Sequence, residues 1–469
     1  MKPFPQATQA SALLNSPKFL AAKKELMAAI QEASTQVQGI KPSVAEVREE
    51  YLKTIQEFNR DRGRDVYYPF LSSGLGSGPY VELLDGSVKL DMITGIGVNF
   101  FGHSHPAFIS EMIDGLSADV MQGNLQPGIE AKMLLRKLLS RVGRECRLKQ
   151  AWLTTCGTMA NETALKIARQ KKYPATKVFA FQDCFAGRST AMQEITDNPK
   201  YRDGQPVYGE VAYLPFYDQK SGLDASIAAT LAVMKSELAR YPGKFCAIVC
   251  ELVQGEGGFS FAPNEYYARV FEEAKKANLA VWIDEVQSFG RTGELFAYQT
   301  FQLEKLVDIV TVGKMLQACV VLYSEEYNPR PGLVAGTFSG STVALRTARK
   351  TLEMLDEEGF LGPEGKVNKL GNYFKQSLDR LAQGSCKGII QETRVIGSMI
   401  AFAPFKATPE DVKAVLMRLF DHGLVAFNCG HGPYLVRMLA PFGAMNESDI
   451  DTVCELIEKS LLEVAEERK

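Results

Sequence analysis

The chain has 469 residues, enough for two or three domains at about 150 residues each, and its 46% hydrophobic and 23% charged content excludes a disordered or fibrous protein. A formal net charge of −2 leaves no basic surplus for nucleic acid, no run nears the roughly 18 apolar residues of a membrane span, and Met1 to Ser16 holds no secretory signal. Nine cysteines without framework or CxxC spacing predict reduced thiols in the cytoplasm, and four histidines are too few to start from a His-rich metal site, so no metal is expected.

A polar opening stretch ends at Asn15-Ser16-Pro17, an N-cap followed by proline at the first helical position. Phe19, Leu20, Leu26 and Ile30 then recur at helical spacing and predict a helix to about Ser34, with a second near Val44 to Arg60. The glycine-rich stretch 72–79 predicts a turn. It is not a dinucleotide fingerprint, because an extended hairpin follows it: Tyr80 to Leu84, the turn pair Asp85-Gly86, and Ser87 to Met92. From about residue 105, helix and strand alternate. Helices are predicted near 106–120 and 128–141, strand 150–154, helix 159–172, strands 177–181 and 211–215, helix 223–240, strand 245–250, helix 264–277, and strands 279–283 and 308–312. Short apolar runs between helices predict an α/β fold with a large, doubly wound, mostly parallel sheet. After Arg346 come helices to Glu358, over 363–382 and over 409–422, mixed strands around 389–402, and a last helix from Asn446. The expected division is a large domain over 91–345 and a smaller α+β domain built from 1–90 and 346–469.

Ligands of open α/β sheets sit beyond the carboxyl ends of the parallel strands, and there the unusual residues collect. Strand 150–154 runs into Thr155-Cys156-Gly157-Thr158, and strand 245–250 into a stretch holding Glu251 and Glu256. Strand 279–283 runs into Asp284-Glu285-Val286-Gln287, and strand 308–312 into Gly313-Lys314. The Gly157-Thr158 turn offers free N–H groups, a helix dipole and a hydroxyl to a phosphate; the plainer reading is a threonine N-cap. No Walker motif competes, because Met315 follows Gly313-Lys314. Asp284 closes an apolar strand, where a carboxylate needs a cationic partner. Lys314 closes another, where desolvation favours the neutral, nucleophilic amine. The plainer reading has both capping their strands. Together, a phosphate cradle, an amine for an aldehyde and a carboxylate for a pyridine nitrogen are the requirements of pyridoxal 5′-phosphate. His103 and His105 have ligand spacing, but with no acidic or cysteine partner nearby they predict only a turn before a helix.

From about Tyr80 to the C-terminus the chain resembles the class III (ω-amino acid) aminotransferases of the type I, aspartate aminotransferase fold. The likeness rests on Gly102-His103-Ser104-His105-Pro106, Cys156 to Glu162, Phe185-Ala186-Gly187-Arg188, Glu251 to Gly258, and Trp282 to Gly293 followed by Lys314. It implies a pyridoxal-phosphate enzyme in which Lys314 is the Schiff-base lysine and proton shuttle and Asp284 holds the ring nitrogen protonated. Val286 and Phe185 would cover the two ring faces, Gln287 would reach the phenolic oxygen, and Gly157 and Thr158 would bind the phosphate. Thr337 matches a threonine that reaches the neighbouring subunit's phosphate, which implies a homodimer with shared sites. Arg188 and Arg437 match the arginines that hold substrate carboxylates, and Glu256 the glutamate that masks the second of them. Ile96 and Glu251 fall among the substrate contacts. Taken alone, Phe185 would be a core aromatic, and Arg188 and Arg437 ordinary charges, Arg437 at a sheet edge.

The sequence departs from the family at Cys156 and Met159, where serine and an acidic residue are usual, and at Ala186, where histidine or tryptophan is common. Met315 to Val320 replaces a Gly/Pro-rich loop, which is more like lysine 6-aminotransferases and some 4-aminobutyrate aminotransferases. Ile96, apolar as in 4-aminobutyrate and acetylornithine enzymes, argues against ornithine. The resemblance implies transfer of a terminal amine from a small-molecule donor (4-aminobutyrate, N-acetylornithine or a lysine-like amine) to a 2-oxo acid, 2-oxoglutarate. The alternatives are a glutamate-1-semialdehyde-type aminomutase and, more distantly, a pyridoxal-phosphate-binding protein without catalysis.

Overall fold

A seven-stranded sheet organises the centre of the chain, in the order Leu148–Thr154, Cys319–Ser324, Ile309–Val312, Ala280–Glu285, Phe245–Cys250, Lys177–Phe181, Val211–Leu214. The computed structural model describes residues 8–469; residues 1–7, read above as part of a polar tail, lie outside the described residues. Neighbouring strands from Ile309–Val312 to Val211–Leu214 pair in parallel. Cys319–Ser324 runs antiparallel to both of its neighbours. This strand escapes the sequence reading, which placed no element between the lysine turn and Arg346.

Strands Phe245–Cys250 and Ala280–Glu285 are buried at every position, which is why Phe245–Cys250 and Ala280–Ile283 read as unbroken apolar runs. Alternation divides their side chains between two faces. Ile248, Val281 and Ile283 pack with Tyr266, Tyr267 and Phe271 of helix Asn264–Lys276. Ala247, Val249, Ala280 and Trp282 pack with Ala164 and Ala168 of helix Gly157–Lys171. Each fully buried large side chain of this kind stabilises the fold by about 1.5–3 kcal/mol. Parity then decides the site: Asp284, two residues after Trp282, must face the helix that begins at Gly157.

At the N-terminal end, Ser16 caps helix Pro17–Thr35, its hydroxyl accepting from Phe19 N at 3.2 Å, and a second helix covers Ala45–Arg62. A short helix, Gln9–Leu14, stands where only a polar tail was expected. The stretch expected to be a turn is instead strand Ser72–Ser77, paired with Tyr80–Leu83. Its glycine is required by close approach: a Cβ on Gly76 would lie 2.4 Å from the His103 Cβ. The Asp85-Gly86 hairpin forms as expected, and its second strand, Val88–Asp91, pairs in parallel with Leu424–Val425.

Beside it stands a sheet in the order Ile390–Ile396, Met399–Pro404, Leu435–Leu439, Phe427–Cys429. Arg437 therefore sits on an interior strand and is fully buried, not at a sheet edge. His105 caps helix Pro106–Gly115 as the turn reading requires, but His103 does have an acidic partner. The hairpin brings Asp91 Oδ2 within 3.0 Å of its Nε2.

Candidate active site

A cavity of about 400 Å³ opens beyond the carboxyl ends of the central strands. Gly157, Thr158, Phe185, Glu251, Asp284, Val286, Gln287 and Lys314 all line it, delivered by turns far apart in sequence. A second cavity of about 480 Å³, between Glu162, Arg169 and Glu210, holds no such convergence of amine, carboxylate and free N–H groups.

One wall is an anion cradle. Helix Gly157–Lys171 begins two residues earlier than the periodicity suggests, so Gly157 and Thr158 form its first turn. Cys156 at the N-cap is extended and its side chain makes no capping hydrogen bond. The first-turn N–H groups stay free, aligned with the positive end of the helix dipole. A Cβ on Gly157 would meet Val286 Cγ1 at 2.6 Å, so only glycine lets this helix end lie against that strand end.

Asp284 is only 5% exposed. Its Oδ1 accepts from Val286 N at 2.9 Å and its Oδ2 from Asn161 Nδ2 at 2.6 Å. Burial pushes the carboxyl above its ordinary range, while these hydrogen bonds pull it back toward the ionised form. Burial, and then the Asp284 charge, push Glu251 up as well. Both Glu251 oxygens accept backbone N–H groups, Phe185 at 2.8 Å and Gly255 at 3.0 Å, so this carboxyl fastens two stretches of the cavity wall.

Lys314 follows Gly313 with φ 47°, a left-handed conformation that is strained for a residue with a side chain. The turn is held by Gln317, whose N–H donates to the Lys314 carbonyl at 2.8 Å and whose amide donates to Val98 O at 2.8 Å. Burial, reinforced by the Arg437 charge, lowers the Lys314 pKa to about 8, with Glu256 and Asp284 opposing. A buried amine so close to neutrality is poised to attack a carbonyl carbon or to carry a proton.

Behind Gln287, the Arg437 guanidinium donates to Glu256 Oε1 at 2.7 Å, Gly255 O at 3.1 Å and Gln287 Oε1 at 3.4 Å. Burial alone would raise Glu256, but Arg437 reverses this and holds it below the carboxylate range. Arg188 is exposed, its guanidinium 4.3 Å from the Tyr201 ring centroid and 5.7 Å from that of Phe185. Arg188, Glu256 and Arg437 do not line the cavity, and neither do Ile96 and Thr337. Ile96 sits in a run of positive φ from Thr94 to Gly97, and Thr337 is exposed on a segment tied to Gln122 and Asn124.

Sequence reasoning gave no role to Asn161, Thr311 or Gln317. The one local signal was Asn161 itself, a polar residue on a helix face otherwise built of Ala160, Ala164, Leu165 and Ala168.

The anion cradle, the ionisable carboxylate and the buried amine fit the phosphate, ring nitrogen and aldehyde of pyridoxal 5′-phosphate. The chain is 28% identical over 404 residues to the acetylornithine aminotransferase of Caldanaerobacter subterraneus, covering 83% of this chain and 94% of that one. It is 26% identical over 401 residues to the diaminobutyrate–2-oxoglutarate transaminase of Bordetella parapertussis, covering 82% and 89%. The fold matches the lysine aminotransferase from M. tuberculosis with a TM-score of 0.78 at 22% identity, over 87% of this chain and 99% of that one. The aminotransferase class-III family matches residues 64–461, and with that match the cavity's chemistry has its setting: the chain belongs to the class-III aminotransferases and is a pyridoxal-phosphate-dependent transaminase.

Proposed function

We propose that this enzyme moves a terminal amino group from an ω-amino acid, of the 4-aminobutyrate, N-acetylornithine or lysine type, to 2-oxoglutarate. The observation that carries this reading is the Arg437–Glu256 pair, 2.7 Å apart beside Gln287. An ω-amine donor places no carboxylate next to its reacting carbon, so a bare Arg437 would be an unpaired buried cation, and Glu256 neutralises it. The α-carboxylate of 2-oxoglutarate needs that guanidinium in bidentate form, and Glu256 swings aside to release it. Arg188, stacked over Tyr201 beside Phe185, turns in to hold a distal carboxylate.

Bound pyridoxal phosphate supplies an aldehyde and an electron-withdrawing pyridinium. In this reading Lys314 would hold the aldehyde carbon and carry the proton, and Asp284 would keep the ring nitrogen protonated. Gly157 and Thr158 grip the phosphate, Val286 and Phe185 enclose the ring, and Gln287 reaches the phenolic oxygen. The large domain spans 91–345, and the pairing of Val88–Asp91 with Leu424–Val425 supports a smaller domain drawn from both chain ends.

Glu256→Ala is expected to favour α-amino donors such as glutamate and to slow the ω-amine half-reaction, whereas Arg437→Ala chiefly harms the keto-acid half. Single-turnover kinetics of each half-reaction measure this. Equal slowing of both halves by both substitutions would reduce the pair to a structural ion bridge. An aminomutase would turn over without a keto-acid acceptor, so acceptor dependence separates that alternative.

We also propose a cytoplasmic homodimer, in keeping with nine unpaired cysteines. Leu116, Val120, Leu125 and Phe338 are exposed around the Thr337 segment, Leu125 at 94%, an apolar patch suited to a second copy. Leu125→Asp is expected to shift the protein toward monomer in sedimentation experiments and to weaken cofactor binding, because Thr337 then no longer reaches a neighbouring site. A wild-type chain that is monomeric at full cofactor affinity would end this proposal.

A further inference from the structure

We infer that Asn161 and Thr311 are positioning residues that aim the Asp284 carboxylate at a ring nitrogen and keep it ionised. The inference rests on reading Asp284 as the partner of that nitrogen. Asp284 and Thr311 are register partners on the parallel strands Ala280–Glu285 and Ile309–Val312, so their side chains stand next to each other on one face. Helix Gly157–Lys171 crosses that face and inserts Asn161 between them, one turn after Thr158.

A buried amide in such a place has two orientations, and the wrong one would set its oxygen against the Asp284 oxygen. Three contacts decide. Thr311 Oγ1 donates to Asn161 Oδ1 at 2.7 Å, and Asn161 Nδ2 donates to Ala186 O at 2.8 Å and to Asp284 Oδ2 at 2.6 Å. A longer contact, Trp282 Nε1 to Thr311 Oγ1 at 3.5 Å, approaches the hydroxyl from the side of a donor and favours its hydrogen pointing at Asn161. Asn161 is 2% exposed and Thr311 0%, so neither has solvent as a substitute partner.

The consequence is electronic as well as steric. With Asn161 on Oδ2 and Val286 N on Oδ1, each carboxylate oxygen has one donor and keeps a lone pair for the cavity. The plane of the carboxylate is thereby set, and its negative charge is held in a buried place that otherwise favours the neutral acid. Through Ala186 the same amide ties Asp284 to the segment carrying Phe185 on the far side of the cavity.

The test is a binding measurement, independent of turnover. Pyridoxamine 5′-phosphate has no aldehyde and cannot bond Lys314; its 1-deaza counterpart also lacks the ring nitrogen. Dissociation constants of both are measured by titration calorimetry for the wild type, Asn161→Ala, Thr311→Val and Thr311→Ser. Asn161→Ala is expected to weaken binding of the natural compound roughly tenfold to hundredfold, the loss of one hydrogen bond to a charged group. The deaza compound should bind as before or tighter. Thr311→Val, nearly isosteric and safe for the fold, should show the same selective loss at a smaller factor, and Thr311→Ser should restore it.

Equal losses for both compounds would make the two residues packing elements and overturn the inference. If the wild type separates the compounds and both Asn161→Ala and Thr311→Val separate them equally well, the inference fails while the reading of Asp284 stands. If the wild type does not separate them, the reading of Asp284 fails and takes the inference with it.

Discussion

Replacing Lys314 with alanine is expected to abolish transamination while leaving the fold in place. The residue closes strand Ile309–Val312 and follows Gly313 into the cavity, and no other lysine lines that cavity. Proton transfer by a positioned group is typically worth about 10²–10⁴-fold, and the lost covalent step adds to that. Borohydride reduction followed by mass spectrometry should find cofactor attached to the wild-type chain and none attached to the variant. A Lys314→Ala enzyme that turns over at the wild-type rate would end the assignment of the site.

The same substitution has a pH signature in the cofactor-free protein. Burial lowers the Lys314 pKa from 10.5 to about 8, so the folded state disfavours the charged amine. At about 1.4 kcal/mol per unit, and discounted for the open cavity the side chain faces, this destabilises the fold on the order of 2 kcal/mol. The penalty is complete below pH 8 and is relieved as the pH rises from about 8 to 10.5. Lys314→Ala should therefore melt higher than the wild type at neutral pH, and the gap should close over that interval.

Asp284→Asn should lower kcat by about 10²–10³-fold, the scale of losing one preorganised electrostatic partner in a buried site. Asparagine keeps the shape, but its single oxygen can accept from only one of the two donors, Val286 N or Asn161 Nδ2, so thermal melting is measured alongside to separate a folding loss from a loss of chemistry. Its amide carries no charge to hold a pyridinium, and charge development on the substrate carbon loses its sink. Cofactor affinity should fall by a smaller factor than turnover, which equilibrium binding and steady-state kinetics measure side by side. Equal losses in both would mean that Asp284 serves structure alone.

Much of this protein can be read without coordinates because its signals are local. The apolar runs Phe245–Cys250 and Ala280–Ile283 record burial on both faces. Ser16-Pro17 and Asn446 cap the helices that follow them, and Asp85-Gly86 turns its hairpin. Polar residues that interrupt apolar strands at their carboxyl ends are conspicuous because burying them is costly, so Asp284 and Lys314 stood out by type and place. Gly76 misled in the other direction: glycine reads as a turn, yet here it permits the close approach of a strand to His103.

Contacts between distant segments have no such local signal. The pairing of Arg437 with Glu256, 181 residues apart, was implied by the family resemblance and not by spacing, and Asn161 reaches Asp284 across 123 residues with nothing near either to mark it. Caps, turns and periodicities are set by atoms a few residues apart, so composition and spacing determined the strands, the helices and the chemical types at the strand ends. Which buried charge meets which donor depends on how helices and sheets close over one another, a free energy spread over the whole core, and only the tertiary structure decided that.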